Sequence, residues 1–236
     1  FDNLLINITI TSIDQVWSSD ITYYDVGGRF YYITFVMDNC SRRILGHAVS
    51  ARMFTEQTTL PALTQAIANR NGQIKAGLIF HSDGGGQYYD KDFVALTKKH
   101  LIRNSMCEFA WENGKAERLN GIIKNNYLIH MQATTEADLR KNVDRAVALY
   151  NCERPHKSLG YKAPIEFEKQ MIELHPQTRP TVKSSSDAKT DRKDSFEASS
   201  LKTSLQTRPQ APSLSLQNQM IEVRSTGQPI SGMDNS

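Results

Sequence analysis

Three β-prone runs follow one another with almost no chain between them, and that crowding constrains the fold most. Residues 17–26 (WSSDITYYDV), 30–38 (FYYITFVMD) and 43–50 (RILGHAVS) are rich in β-branched and aromatic side chains. The breaks between them, at Gly27-Gly28 and around Asn39-Cys40-Ser41, are short and made of turn-forming residues. A parallel crossover needs a dozen or more residues, so these runs can pair only as an antiparallel meander. Beyond them the period changes. Leu60, Leu63, Ala66 and Ile67 fall at helical spacing and predict a helix over 55–69, ended by Gly72. Residues 77–81 (GLIFH) form a short, wholly apolar run of the kind that becomes a buried parallel strand after a helix. Asp90 can cap a helix carrying Phe93, Leu96 and Thr97, which leads to a short strand over 101–106. Helices are then expected over about 115–130 and 136–150. The resulting order, three strands, helix, strand, helix, strand, helices, is an α/β arrangement.

Composition matters chiefly for where it changes. Hydrophobic residues make up 39% and charged residues 22% of the 236, a slightly low apolar share for a chain folded throughout. The deficit lies at one end: after Pro176 the only aromatic residue is Phe196, and Ser, Thr, Gln, Pro and Lys dominate. A stretch such as 183–193 (KSSSDAKTDRK) has no apolar period to bury, so residues 171–236 are expected to be a disordered, low-complexity tail. Leu214, Leu216, Met220, Ile221 and Val223 read as sticky residues within it. The chain starts at Phe1 without a basic-then-apolar leader, so its natural start is expected upstream, with residues 1–15 as a linker.

Several function classes fall away. No run approaches the roughly 18 apolar residues of a membrane span. Cys40, Cys107 and Cys152 are isolated, which excludes a disulfide framework and fits a reducing cytosol. The six histidines are dispersed, so a zinc finger is not expected. A net charge of +3, from 28 basic and 25 acidic residues, means that any nucleic-acid role must come from a local patch.

Three carboxylates carry the chemistry. Asp20 sits inside a β-prone run, where propensity disfavours it. Asp83 lies in 80–88 (FHSDGGGQY), directly after the apolar strand, where ligands bind in open α/β sheets. The glycines after it let the backbone turn sharply, and no Lys follows them as a phosphate loop would require. Glu117 is in the first turn of a helix (NGKAERLNGIIK, 113–124). One face of that helix carries Asn113, Glu117, Asn120, Gly121 and Lys124; Ala116, Leu119, Ile122 and Ile123 can enter a core. Singly, these acids read as a solvent-facing strand residue, a turn aspartate and a solvated helix face. Together they form the constellation of a two-metal phosphoryl-transfer site, because magnesium prefers carboxylate oxygen and water and phosphate complete its shell.

At this point a resemblance appears. Five blocks stand in order: Trp17 to Tyr23, Asp38 to Gly46, His81 to Tyr88, Asn113 to Glu117, and Tyr150 to Pro164. They resemble the catalytic core of retroviral-type integrases and, more closely, the transposases of bacterial insertion sequences made as a two-frame fusion. The resemblance spans about residues 3–170. It implies a ribonuclease-H-like fold over 16–170, with a mixed five-stranded sheet and flanking helices, and Asp20, Asp83 and Glu117 as catalytic residues holding two Mg²⁺ or Mn²⁺ ions. It implies a polynucleotidyl transferase that cleaves DNA and transfers the strand, acting as a homo-multimer on element ends and target DNA in the bacterial cytoplasm. Neither a membrane nor a small-molecule substrate is expected. Asn113, Arg118, Asn120 and Lys124, with Arg154 and His156 in a loop after a helix, are the expected DNA contacts. The segment between Asp83 and Glu117 is slightly shorter than the family's usual spacing, and the shortening falls in the loop before the helix.

Other polar residues read as structural. Asp38 opens a hairpin turn. His81 either orients a ligand or packs at a strand end. Cys107 has no His–acid arrangement around it. Two rival functions remain, a cleavage-only nuclease of the same fold and a non-catalytic DNA-binding protein derived from a decayed element.

Overall fold

The structure is a computed structural model that describes residues 1–108 and 110–174. The expected tail lies outside the described residues from 175 onward.

The meander forms as the short links require. Strand β1 (Val16–Val26) pairs antiparallel with β2 (Arg29–Asp38), which pairs antiparallel with β3 (Ile44–Ser50). Gly27 and Gly28 both have positive φ, which this tight reversal needs. Strands β4 (Ile79–Ser82) and β5 (Arg103–Met106) add in parallel on the other side of β1. The sheet is mixed, with order β3-β2-β1-β4-β5. This is the five-stranded α/β sheet expected of a ribonuclease-H-like fold.

Both faces of the sheet are covered, which explains why β2 reads as nearly continuous apolar sequence. On one face Val36, Leu45, Ala48 and Phe80 pack against Ala62, Leu63, Ala66 and Ile67 of α1 (Thr59–Ala68) and Phe93 of α2 (Lys91–Lys99). The approach is close: a Cβ at Gly46 of β3 would run into the backbone of Ala62 and Ala66. On the other face Ile33, Phe35, Met37, Ile44 and Val49 meet α3 (Gly114–Asn126) and α4 (Glu136–Glu153). Local signals set the helix ends. The Asp90 side chain accepts from Asp92 N at the start of α2, and Thr135 with Asp138 forms a capping box on α4. The expected helix over 55–69 begins with a separate 3₁₀ turn, and the expected helix over 115–130 ends at Asn126 with a 3₁₀ turn after it.

Helix α5 (Pro164–Glu173) was not expected and runs past the boundary read at 170. Pro164 suits a first helical turn, and Phe167 and Met171, one turn apart, point inward. They join Ile10, Val16, Cys40, Ile79 and Leu159 in a third apolar cluster, to which Leu4, Leu5, Ile8 and Ile13 are packed. Buried Glu168 ties α5 down. It accepts from Ser41 Oγ (2.7 Å) and pairs with Arg43 (2.7 Å) and Arg70 (2.7 Å), while Arg70 Nε also reaches Asp14 at 2.8 Å. Burial alone would raise the Glu168 carboxyl; the arginines beside it hold it below its ordinary value instead.

Candidate active site

The register between β1 and β4 builds the site. Val16 pairs with Ile79, Trp17 with Phe80 and Ser18 with His81, where the pairing ends. Two residues further along each parallel chain stand Asp20 and Asp83, at the same level of the sheet. A slip of one residue would turn Asp20 to the opposite face. Past Ser18, β1 has no partner on the β4 side, and α3 crosses there, bringing Glu117.

Asp20 is partly buried and its carboxyl is raised from its ordinary 3.8 to about 7. Burial is the main cause, followed by the charge of Asp83; Glu117 adds to it, and hydrogen bonds from Ile21 and Asn120 oppose it. The two other carboxylates are therefore close enough to be felt, although among the described residues no three side chains close up to the spacing of a ready-made metal group. Asp83 is exposed at the mouth of the loop after β4. Gly85 N donates to its Oδ1 at 3.1 Å. Gly84 has φ +81°, and a Cβ there would collide with the Met106 side chain, so a glycine is required. The loop is anchored by Tyr88, fully buried against Phe80 and Phe93, whose hydroxyl meets Ser19 Oγ at 3.0 Å.

Glu117 is exposed in the first turn of α3, while Ala116, Leu119 and Ile123 are buried on the core side, as their spacing predicted. Two polar residues, Asn113 just before the helix and Asn120 within it, are buried as well. Asn113 Nδ2 donates to Ser19 O at 3.0 Å, and Asn120 Nδ2 donates to Asp20 Oδ2 at 2.7 Å. Both amides thus face β1 and fix α3 against the strand that carries Asp20. Half-exposed Lys124 holds its ammonium 5.4 Å from the Tyr23 ring centroid, on the open side of β1.

The remaining candidates do not join the three carboxylates as ligands. Asp38 is fully buried in its turn and accepts from Cys40 N, Ser41 N and Asp14 N, a structural role; burial and nearby Asp14 raise its carboxyl to about 6. His81 is packed beneath the loop with Nδ1 on Ser105 Oγ at 2.9 Å, and burial lowers it to about 4, so it is neutral. Cys107 is buried, and its thiol is raised by burial and by Asp83, the reverse of an activated nucleophile. Arg118 and His156 line a cavity beside α3 that Asp20, Asp83 and Glu117 do not line, and Arg154 lies near enough to His156 to lower its ring. Tyr88 and Ser19 were not singled out in the sequence; the Gln-Tyr that closes the His81–Tyr88 block was the available signal.

The donor set fits a hard divalent cation. Burial first, then the charge of Asp83 and to a lesser degree that of Glu117, lifts Asp20 to about 7, and a dication beside it would favour the ionised carboxylate.

Comparison with known proteins bears on the family and the fold. A family model described as integrase core domain matches residues 11–110, and a second of the same description matches 102–164. The chain is 31% identical over 162 residues to transposase InsF for insertion sequence IS3fB of Escherichia coli (strain K12), covering 67% of this chain and 55% of that protein. It is 30% identical over 158 residues to the transposase for insertion sequence element IS629 of Shigella sonnei, covering 66% and 52%. The chain thus spans little more than half the length of these relatives. Among solved structures, the HTLV-2 integrase catalytic core domain in complex with magnesium superposes with a TM-score of 0.53 at 21% identity, covering 66% of this chain and 96% of that one.

Proposed function

This chain belongs to the integrase core domain family, and from that premise we propose that it is the catalytic domain of an insertion-sequence transposase, cutting a phosphodiester at the element's end and joining the freed 3′-hydroxyl to target DNA. The observation that carries the proposal is the β1–β4 register, which sets Asp20 level with Asp83 at the point where α3 presents Glu117.

The chain's own groups have separable tasks in this reading. Asp20, Asp83 and Glu117 would hold two Mg²⁺ or Mn²⁺ ions, which when bound supply Lewis acidity and charge neutralisation for phosphodiester attack. Asn120 acts as a positioning residue, holding one Asp20 oxygen so that the other is aimed into the cleft. Asn113 locks the start of α3 to β1 and thereby fixes the height of Glu117. The bare backbone of Gly84 to Gly86 lets a strand approach Asp83 closely. Lys124 and Arg154 contact phosphates, which positions DNA without reading its sequence. Joining two ends requires two active sites, so the working form is a multimer on DNA. Its setting is the bacterial cytoplasm.

The test is metal-dependent. With Mg²⁺ or Mn²⁺ and pre-cut element ends, the protein should cleave and join DNA; Ca²⁺ should support binding with little chemistry, because it tolerates looser coordination. Undiminished activity in a chelator would overturn the reading. Cleavage without joining would favour the nuclease, and binding without either would favour the decayed element.

A further inference from the structure

A second cavity, of about 370 Å³, lies on the other side of α3, between that helix, the end of α4 and the β2–β3 turn. Asp20, Asp83 and Glu117 do not line it. Its polar wall consists of Arg42, Lys115, Arg118, Tyr150, His156 and Ser158, and no carboxylate is among the lining residues. We propose that this cavity is a phosphate-binding pocket, separate from the carboxylate cleft, that seats a backbone phosphate of the DNA strand with its sugar. The strand assignment rests on the reading above that DNA is the substrate; the phosphate chemistry does not.

Charge is the first argument. Among the described residues neither Arg42 nor Arg118 makes an ion pair, whereas Arg43 and Arg70 are both neutralised by Glu168. Arg42 is half-buried and is held in place by its left-handed backbone, with φ 64°. Burial lowers its guanidinium below its ordinary value, and Arg118 pushes in the same direction. Asp38 lies near enough to Arg42 to offset part of this, but no carboxylate lines the cavity itself, so an anion seated there would be attracted by both arginines.

Donor geometry is the second. His156 Nε2 is buried and has no hydrogen-bond partner among the described residues. The ring is held edge-on against Tyr150, with centroids 5.1 Å apart, and His156 is one of the residues lining the cavity. Burial and the charges of Arg154 and Arg42 lower His156 to about 4, which makes it a neutral imidazole able to donate one N–H. The first turn of α3 at Gly114 adds the positive end of a helix dipole.

Size and place select the source of the phosphate. The cavity is many times the roughly 30 Å³ that a water occupies in the liquid, so a bare phosphate would rattle in it. A sugar–phosphate unit fills more of it and can lay its sugar against Leu119 and Ile122. Arg118 directly follows Glu117, so the two sites lie about 100° apart around one helix and about 1.5 Å apart along its axis. A strand engaged at Glu117 passes the pocket within a few nucleotides.

The test uses the whole chain in chelator, so that the cleft holds no metal, with a short DNA duplex and inorganic pyrophosphate as probes. Arg118 is exposed on a helix and tolerates alanine without loss of packing. Arg118→Ala should weaken duplex binding about ten-fold and lower the salt slope by about one counterion. Arg118→Lys should restore the slope with only part of the affinity, since a point charge cannot replace the fork. His156→Gln should weaken binding with no change in slope. Unchanged binding for both Arg118→Ala and His156→Gln overturns the strand assignment. If pyrophosphate then still stabilises the wild type and not Arg118→Ala, the pocket takes free phosphate instead. If the wild type binds no duplex, the functional reading fails by itself, and the pocket stands or falls on pyrophosphate; no stabilisation by pyrophosphate overturns it.

Discussion

Replacing Asp20 with asparagine should make the metal-free protein more stable while ending its chemistry. The folded protein holds the Asp20 proton more tightly than the unfolded chain does, since its carboxyl rises from 3.8 to about 7. The stability that this proton confers is complete below about pH 4 and is lost as the pH climbs to about 7. Over that span each pH unit is worth about 1.4 kcal/mol, an upper bound near ~4 kcal/mol for ionising Asp20 in the fold. Water at the cleft mouth screens part of this, leaving about 2 kcal/mol as the expected effect. The substituted amide would keep the hydrogen bond from Asn120 through its carbonyl oxygen and carry no charge. Urea unfolding in chelator should therefore show the Asp20→Asn variant level with wild type near pH 4 and about 2 kcal/mol more stable near pH 8. In melting temperature the gap is roughly 4–8 °C for a chain of this size. Adding Mg²⁺ should stabilise wild type and close the gap, because the dication does for the three carboxylates what the substitution does for one. A variant that is no more stable than wild type near pH 8, or a gap that ignores pH, would refute the electrostatic account of the site.

Three other outcomes test separate parts of the structure. Glu168→Ala should cost about 3–5 kcal/mol in urea unfolding, since Arg43 and Arg70 lose the buried carboxylate they share. Gly84→Ala should abolish DNA cleavage, because the backbone at φ +81° and the Met106 side chain leave no room for a methyl; a near-wild-type melting temperature would place that strain in the loop rather than the core. Lys124→Ala should lower the salt slope of DNA binding by about one and leave the response to Mg²⁺ intact, whereas Glu117→Gln should do the reverse.

The sequence disclosed those parts of the fold whose causes are local. The meander follows from link lengths, β4 from a short apolar run bounded by Gly77 and the loop glycines, and the Asp90 cap from one side chain beside one helix. The carboxylates were visible because each sits where its neighbours make an acid improbable or exposed. What stayed hidden depends on partners far along the chain. Asn120 reads as a DNA contact on a polar helix face, yet its amide meets Asp20, 100 positions away. Glu168 was not singled out at all, because its partners Arg43 and Arg70 stand 125 and 98 positions away. Helix α5 escapes notice for a plainer reason: its apolar signal is little more than the pair Phe167 and Met171, at the border of a polar stretch.

The register between β1 and β4 also bears on the order in which the molecule comes together. The meander joins neighbours in sequence and can close within a short stretch of chain. The parallel pair joins Val16 to Ile79 and so must wait for a loop of roughly sixty residues to close, an entropic delay that local pairing does not incur. Until that loop closes Asp20 has no Asp83 beside it, however complete the meander is. A refolding chain should thus recover the far-ultraviolet signal of β1 to β3 before it recovers stabilisation by Mg²⁺, with the carboxylate cluster assembled last.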